Sequence, residues 1–297
     1  MSECESTSGG PRLRISGRQL AFCQMGSKSP TVIFETGLGA ESSEWSPIQK
    51  SIASTTLTFR YDRVGRGRSD PANHIRTAED MVGDLRSLLR VAGVPGPYIL
   101  VGHSFGGLLM RLFAHWYRDE VSALVLVDAM NEAQFDVIGC ALPQVAPDDP
   151  PALQSFREFW CGGWKDPQST AEKIDFAECF RQISEVHSLG QLPVRIISAG
   201  TAINSPFLPV HARPALQASW NQLQSQFLQL SSDARQTFAL QSGHFVQRDA
   251  PEVITETIRE LIVCEATPGR CWRWTGSGIR LCSYGRSIVA RATTCRK

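Results

Sequence analysis

The sequence predicts an α/β chain: a mostly parallel β-sheet flanked by helices, with a helical insertion. Three observations lead there. Short apolar runs without polar alternation recur, among them "TVIFE", "YILVG" and "ALVLV", and strands buried on both faces read this way. Helical patterns follow several of these runs, which is the rhythm that covers both faces of a sheet. One such change, "YILVGHSFGGLLMRLF", passes from strand to helix with almost no loop.

The elements follow in order. "LRISGRQLAFCQMG" reads as two short strands joined at Ser16-Gly17, and "TVIFE" (31–35) as a buried strand ending at a glycine pair. "TLTFRYD" (56–62) is the next strand, bounded by "RVGRGRSDP". Thr77 then precedes a first turn holding Glu79 and Asp80. A threonine oxygen can take up a free amide there, and the helix dipole favours the acids. Met81, Leu85, Leu88, Leu89 and Ala92 fall at helical spacing, and Gly93 ends the helix. "YILVG" (98–102) is a strand and "GGLLMRLFAHWY" a helix; "SALVLVDA" (122–129) and "PVRIISAG" (193–200) are strands. "RPALQASWNQLQSQFLQL" (213–230) is a helix and "RQTFAL" (235–240) the last strand. Asp249 is expected to cap a closing helix with Ile254, Ile258, Leu261 and Ile262 on one face.

Between Met130 and Leu192 the rhythm breaks. Prolines and "FREFWCGGWKDP" mark an insertion at about 130–192, after a strand's C-terminal end, where open α/β sheets bind ligands. The organisation expected is a polar segment over 1–12, a main domain over 13–263 and a basic, cysteine-containing tail over 264–297. The tail carries +6 and the remainder −5. Loose packing is expected of it, since its periodicity is weak. With a net charge of +1, no nucleic-acid partner is expected. No apolar run reaches the roughly 18 to 20 residues of a membrane span, and the polar start argues for a cytoplasmic protein with reduced thiols. Cys264, Cys271, Cys282 and Cys295 lack zinc-site spacing, so no metal is expected.

Gly102-His103-Ser104-Phe105-Gly106 stands between a strand and a helix. So sharp a turn leaves its middle residue strained, with the side chain projecting from the sheet edge, and the small flanking residues let strand and helix approach. An ordinary glycine-rich turn is the plainer alternative. A serine held there at a helix N-terminus is a nucleophile that needs only a base.

At this point the sequence resembles the α/β-hydrolase fold superfamily, over about residues 13–263. "VGHSFGG" looks like its nucleophile elbow, and "FETGLGAESSEW" like the segment supplying half of its oxyanion hole. "YDRVGRGRSD" resembles its D-R-x-G-x-G-x-S loop, and "SGHFVQRDAPEVI" the loop of its catalytic histidine. Glu35-Thr36 departs from the pattern, since many members have a histidine before the glycine. The resemblance implies that Ser104 attacks a carbonyl carbon, that His244 carries its proton, and that the amides of Leu38 and Phe105 hold the oxyanion. His103 is expected to turn away and pack. Asp62 and Arg63 are expected to make internal hydrogen bonds rather than cradle a phosphate.

The acid is harder to place. Most relatives carry it after the strand that here is "VRIISAG", but Thr201-Ala202-Ile203-Asn204-Ser205 holds no carboxylate. Asp233 precedes the last strand, at the sheet's far end. The superfamily's other placement ends the strand before the insertion, which here gives Asp128 and preserves the order Ser104, Asp128, His244. The implied activity is a cofactor-free serine hydrolase acting through an acyl-enzyme on an ester, thioester or related carbonyl substrate, with a small-molecule acyl compound as its partner. Acyl transfer, lyase or cyclisation chemistry on the same scaffold is one alternative, and a non-catalytic small-molecule binder is another. Trp160 and Trp164 either line an acyl pocket or form the insertion's own core.

Overall fold

Strands apolar on both sides must be covered twice, and the chain does this with one sheet and two helical layers. The computed structural model describes residues 10–203, 205–266, 270–275 and 278–283. Its eight-stranded sheet comprises β1 (Arg12–Ile15), β2 (Arg18–Met25), β3 (Thr31–Glu35), β4 (Leu57–Tyr61), β5 (Tyr98–His103), β6 (Val121–Val127), β7 (Val194–Ala199) and β8 (Ala234–Ala239). The strand order is β1-β2-β4-β3-β5-β6-β7-β8. β1 and β2 form an antiparallel hairpin through Ser16-Gly17, β2 lies antiparallel to β4, and every later pairing is parallel.

Along β5 the side chains alternate between two cores. Ile99 and Val101 join the cluster that contains Ile48 and Ile52 of α1 (Ser46–Ile52) and Ile254, Ile258 and Leu261 of the closing helix. Tyr98 and Leu100 join the cluster of α2 (Ala78–Val91) and α3 (Phe105–Trp116). Thr77 and Asp80 cap α2 reciprocally. The sequence pattern does not announce α1, because its seven residues form too short a period to stand out.

Between β6 and β7 run α4 (Gln134–Ala141), α5 (Pro151–Cys161) and α6 (Phe176–Ile183). Ile138 and Leu153 of this insertion pack with Leu216, Trp220 and Leu223 of α7 (Arg213–Gln226). After β8 come α8 (Val246–Asp249) and α9 (Pro251–Ala266). Asp249 does not cap α9; its Oδ2 turns back and accepts from the amide of Gly243 at 2.9 Å. Beyond α9, β9 (Arg270–Thr275) and β10 (Gly278–Ser283) pair antiparallel as a separate two-stranded sheet. The side chains of the four tail cysteines lie outside the described residues, as does Asn204. Cys140, Cys161 and Cys179 are free thiols, whereas Cys23 is disulfide-bonded, against the expectation of reduced cysteines throughout. Among the described residues no helix is long and apolar enough to cross a membrane.

The joint between β5 and α3 positions everything at the top of the sheet. At Gly106, α3 crosses the end of β3 so closely that an added Cβ would lie 2.6 Å from the carbonyl oxygens of both Glu35 and Thr36. Backbone cannot yield there without moving a central strand. Gly106→Ala should therefore lower the free energy of unfolding by about 2 kcal/mol or more, read from urea melts. An unchanged midpoint would mean that the helix is free to shift.

Candidate active site

Ser104 sits at the N-cap of α3 with φ 51° and ψ −120°, outside the helical and extended regions. Its backbone is pinned on both sides. The Ser104 amide donates to Val127 O at 3.1 Å, and Ser104 O accepts from the Met130 amide at 2.8 Å. Both tethers lead to the end of β6, the segment that carries Asp128.

Asp128 is fully buried, with φ 41°. A buried carboxylate needs partners to offset lost hydration, and it has three. Oδ2 accepts from His244 Nδ1 at 2.7 Å, while Oδ1 accepts from the Ala199 amide at 3.0 Å and from Trp220 Nε1 at 2.9 Å. The carboxylate is thus fixed by β7 and α7 before it meets the imidazole. His244 lies between β8 and α8, partly exposed, with Trp220 edge-on to its ring at 5.6 Å. Since Nδ1 is taken by the acid, Nε2 is the nitrogen left for exchange. Asp233, just before β8, pairs with Arg195.

His103 is more than packing. Its Nε2 bonds the backbone carbonyl of His244 at 2.8 Å, and its Nδ1 receives Gln247 Nε2 at 3.2 Å. These partners require a neutral ring protonated on Nε2. Burial, and then the nearby His244, push its pKa well below the ordinary histidine value. Gln247 also reaches Glu44, which Arg248 pairs with. The histidine loop is therefore held from below by His103 and from the side by Glu44.

The turn after β3 approaches the serine from the other side. An added Cβ on Gly37 would lie 3.3 Å from Ser104 Cβ and 2.9 Å from His103 Nδ1. Leu38 and Gly39 follow directly. Phe105 is the first residue of α3, so its amide has no carbonyl partner within the helix. Two backbone amides, of Leu38 and Phe105, thus belong to segments that meet at Ser104.

Arg63 holds that turn. Buried beneath it, the guanidinium donates to Glu35 Oε1 (2.6 Å), Thr36 O (2.7 Å) and Gly37 O (2.8 Å). It also donates to Glu172 Oε2 (2.6 Å) and Oε1 (3.0 Å) from the insertion. Glu172 Oε1 in turn accepts from the Gly39 amide at 3.0 Å. Burial alone would lower the pKa of Arg63, but Glu172 and Glu35 overcome this and raise it. Glu35 is raised by burial, with Arg63 and the Tyr61 hydroxyl pulling the other way. The internal hydrogen bonds expected of Asp62 and Arg63 are present; Asp62 takes the amides of Ser42 and Arg68. No feature of the sequence announced Glu172 or Trp220.

Of the two insertion tryptophans, Trp164 is buried and stacks on Phe135 at 4.8 Å and 10°. Trp160 lies between Phe135 and Phe156 at 5.1 and 5.2 Å. Both contact the insertion's aromatic cluster, Trp164 buried within it and Trp160 partly exposed at its edge.

Residues 30–160 match the family model described as alpha/beta hydrolase fold. A thermophilic esterase from Thermogutta terrifontis superposes over 87% of this chain and 100% of its own, with TM-score 0.59 and 18% identity. This chain has the α/β-hydrolase fold. A meta-cleavage product hydrolase from Pseudomonas fluorescens shares it too, with TM-score 0.56 and 17% identity over 87% of this chain and 98% of its own. Among curated sequences, YqjL of Bacillus subtilis is 28% identical over 77% of this chain and 82% of its own length. An AB hydrolase superfamily protein of Gibberella zeae is 25% identical over 79% of this chain and 87% of its own. At these structural identities the likeness establishes the fold alone. The family match spans Ser104 and Asp128 but stops before His244.

His103 makes the stability of the fold depend on pH. Its native pKa is depressed, so the unfolded chain takes up a proton that the native ring refuses. The stability it contributes is full above the ordinary value of 6.5 and is lost as pH falls below it. The stability difference between wild type and His103→Gln, from urea melts between about pH 5 and pH 8, should shrink toward the acid end. A difference independent of pH would refute a neutral buried ring.

Proposed function

We propose that this α/β-hydrolase-fold chain is a serine hydrolase that cleaves a small ester, thioester or related acyl substrate through an acyl-enzyme. One observation carries the reading. A fully buried Asp128 holds His244 by Nδ1 at 2.7 Å, and its segment is tied by backbone hydrogen bonds to the strained Ser104.

The chemistry follows from that arrangement. Ser104 Oγ attacks the carbonyl carbon while His244 Nε2 takes its proton. The imidazolium formed is stabilised by Asp128, whose charge is already localised by Ala199 and Trp220. Charge developing on the carbonyl oxygen meets the amides of Leu38 and Phe105, which Arg63 and the helix start hold in place before reaction. Preorganised donors act without reorganisation, and this is why they lower the barrier. The imidazolium then protonates the leaving group, and a water repeats the sequence to free the acid.

The insertion would serve as a lid. Phe159 and Glu172 share a cleft with Leu38 and Gly39, which supports that role. Trp164 would then act as the lid's core, and Trp160, on its rim, as a candidate pocket wall.

Turnover of p-nitrophenyl acetate should fall on the order of 10⁶-fold in Ser104→Ala. In Asp128→Asn it should fall by roughly 10⁴-fold. Circular dichroism should be unchanged in Ser104→Ala. Turnover that survives Ser104→Ala in a clean preparation would overturn the mechanism.

A further inference from the structure

The insertion and the Leu38 turn enclose a cleft of about 240 Å³, lined by Leu38, Gly39, Arg66, Phe159, Thr170 and Glu172 among others. That is the volume of roughly eight waters, enough for an acyl chain of a few carbons. Leu38 and Gly39 form one of its walls and directly follow Gly37, whose backbone lies against Ser104.

The cleft's two lining charges, Arg66 and Glu172, do not pair with each other. Glu172 contributes a carboxylate, but both of its oxygens are occupied by Arg63 and one also by the Gly39 amide. Asp62 and Asp70, the acids nearest along the same loop, are also engaged. The first takes the amides of Ser42 and Arg68, and the second pairs with Arg12 and takes the Gln19 amide. Arg66 is left as a half-buried cation with no ion pair among the described residues, and its buried Nε has no hydrogen-bond partner. An unpaired buried donor is costly, and a guanidinium at a cleft wall is shaped for a carboxylate.

Building on the serine-hydrolase reading, we propose that this cleft binds a carboxylate at the far end of the acyl chain. Arg66 is then a specificity-determining residue, and the substrate class is the half-ester of a short dicarboxylic acid. Ser104 displaces the alcohol from the ester end, and water then releases the dicarboxylate. The apolar walls, Leu38 and Phe159, suit the methylenes between the two ends.

The test compares two esters of equal chain length, p-nitrophenyl hydrogen glutarate and p-nitrophenyl valerate. Wild type should favour the glutarate ester in kcat/KM by roughly tenfold or more, the worth of one charge-assisted bond. Arg66→Gln should cut kcat/KM for the glutarate ester at least tenfold more than for the valerate ester, and Arg66→Lys should restore part of the difference. No preference in wild type, or equal losses on both esters, would overturn the proposal. A second arm needs no turnover: calorimetry of glutarate with Ser104→Ala protein. Binding is expected there, weakened by salt and lost when Arg66→Gln is added. Failure to bind sinks the site, whereas valerate turnover that persists in Ser104→Ala sinks the hydrolase reading and leaves the binding result standing.

Discussion

The contact between α3 and the end of β3, made at Gly106 without a side chain, governs the geometry at the top of the sheet. Because the helix starts so close to the strands, Ser104 must take a positive φ to join them. A strained residue persists only where its surroundings over-determine it. Here the surroundings are the backbone hydrogen bonds to Val127 and Met130 and the tight approach of Gly37. The strain places a hydroxyl at a helix N-terminus, and the same tethers place Asp128 beside it. The proposed nucleophile and the proposed acid are thus two outcomes of one packing constraint.

The other parts are fixed by buried polar groups with full sets of partners. Asp128 draws on β7 and α7 as well as His244. His103 supports the His244 backbone from beneath. Arg63 ties the Leu38 turn to Glu172 in the insertion, so the turn and the insertion share one buried cation. Breaking such a cluster by removing one member leaves an uncompensated buried charge.

Much of this was legible in the sequence. The strands were readable because parallel strands are apolar on both faces, and the helix after Thr77 because its cap and stripe agree. Asp128 is the candidate that the resemblance implies: of the superfamily's two placements for the acid, the segment after β7 holds no carboxylate among Thr201 to Ser205, and the end of β6 holds one. What stayed hidden depends on long-range contact. Trp220 lies 92 residues from the aspartate it donates to, and Glu172 lies 109 from Arg63. No local pattern records such pairings. The short α1 and the bounds of the individual insertion helices escaped for a different reason, since a few turns give too little periodicity to read. Asp249 misled because an aspartate before a helix has two uses, and here it braces Gly243 rather than capping.

The central claim is that the folded arrangement activates one serine. The most direct measurement is mass spectrometry of the intact chain after exposure to a fluorophosphonate, followed by peptide mapping. The account predicts a single adduct per chain, on the peptide containing Ser104, formed by folded and not by urea-unfolded protein. No adduct on the folded chain, or labelling at another residue, would contradict it.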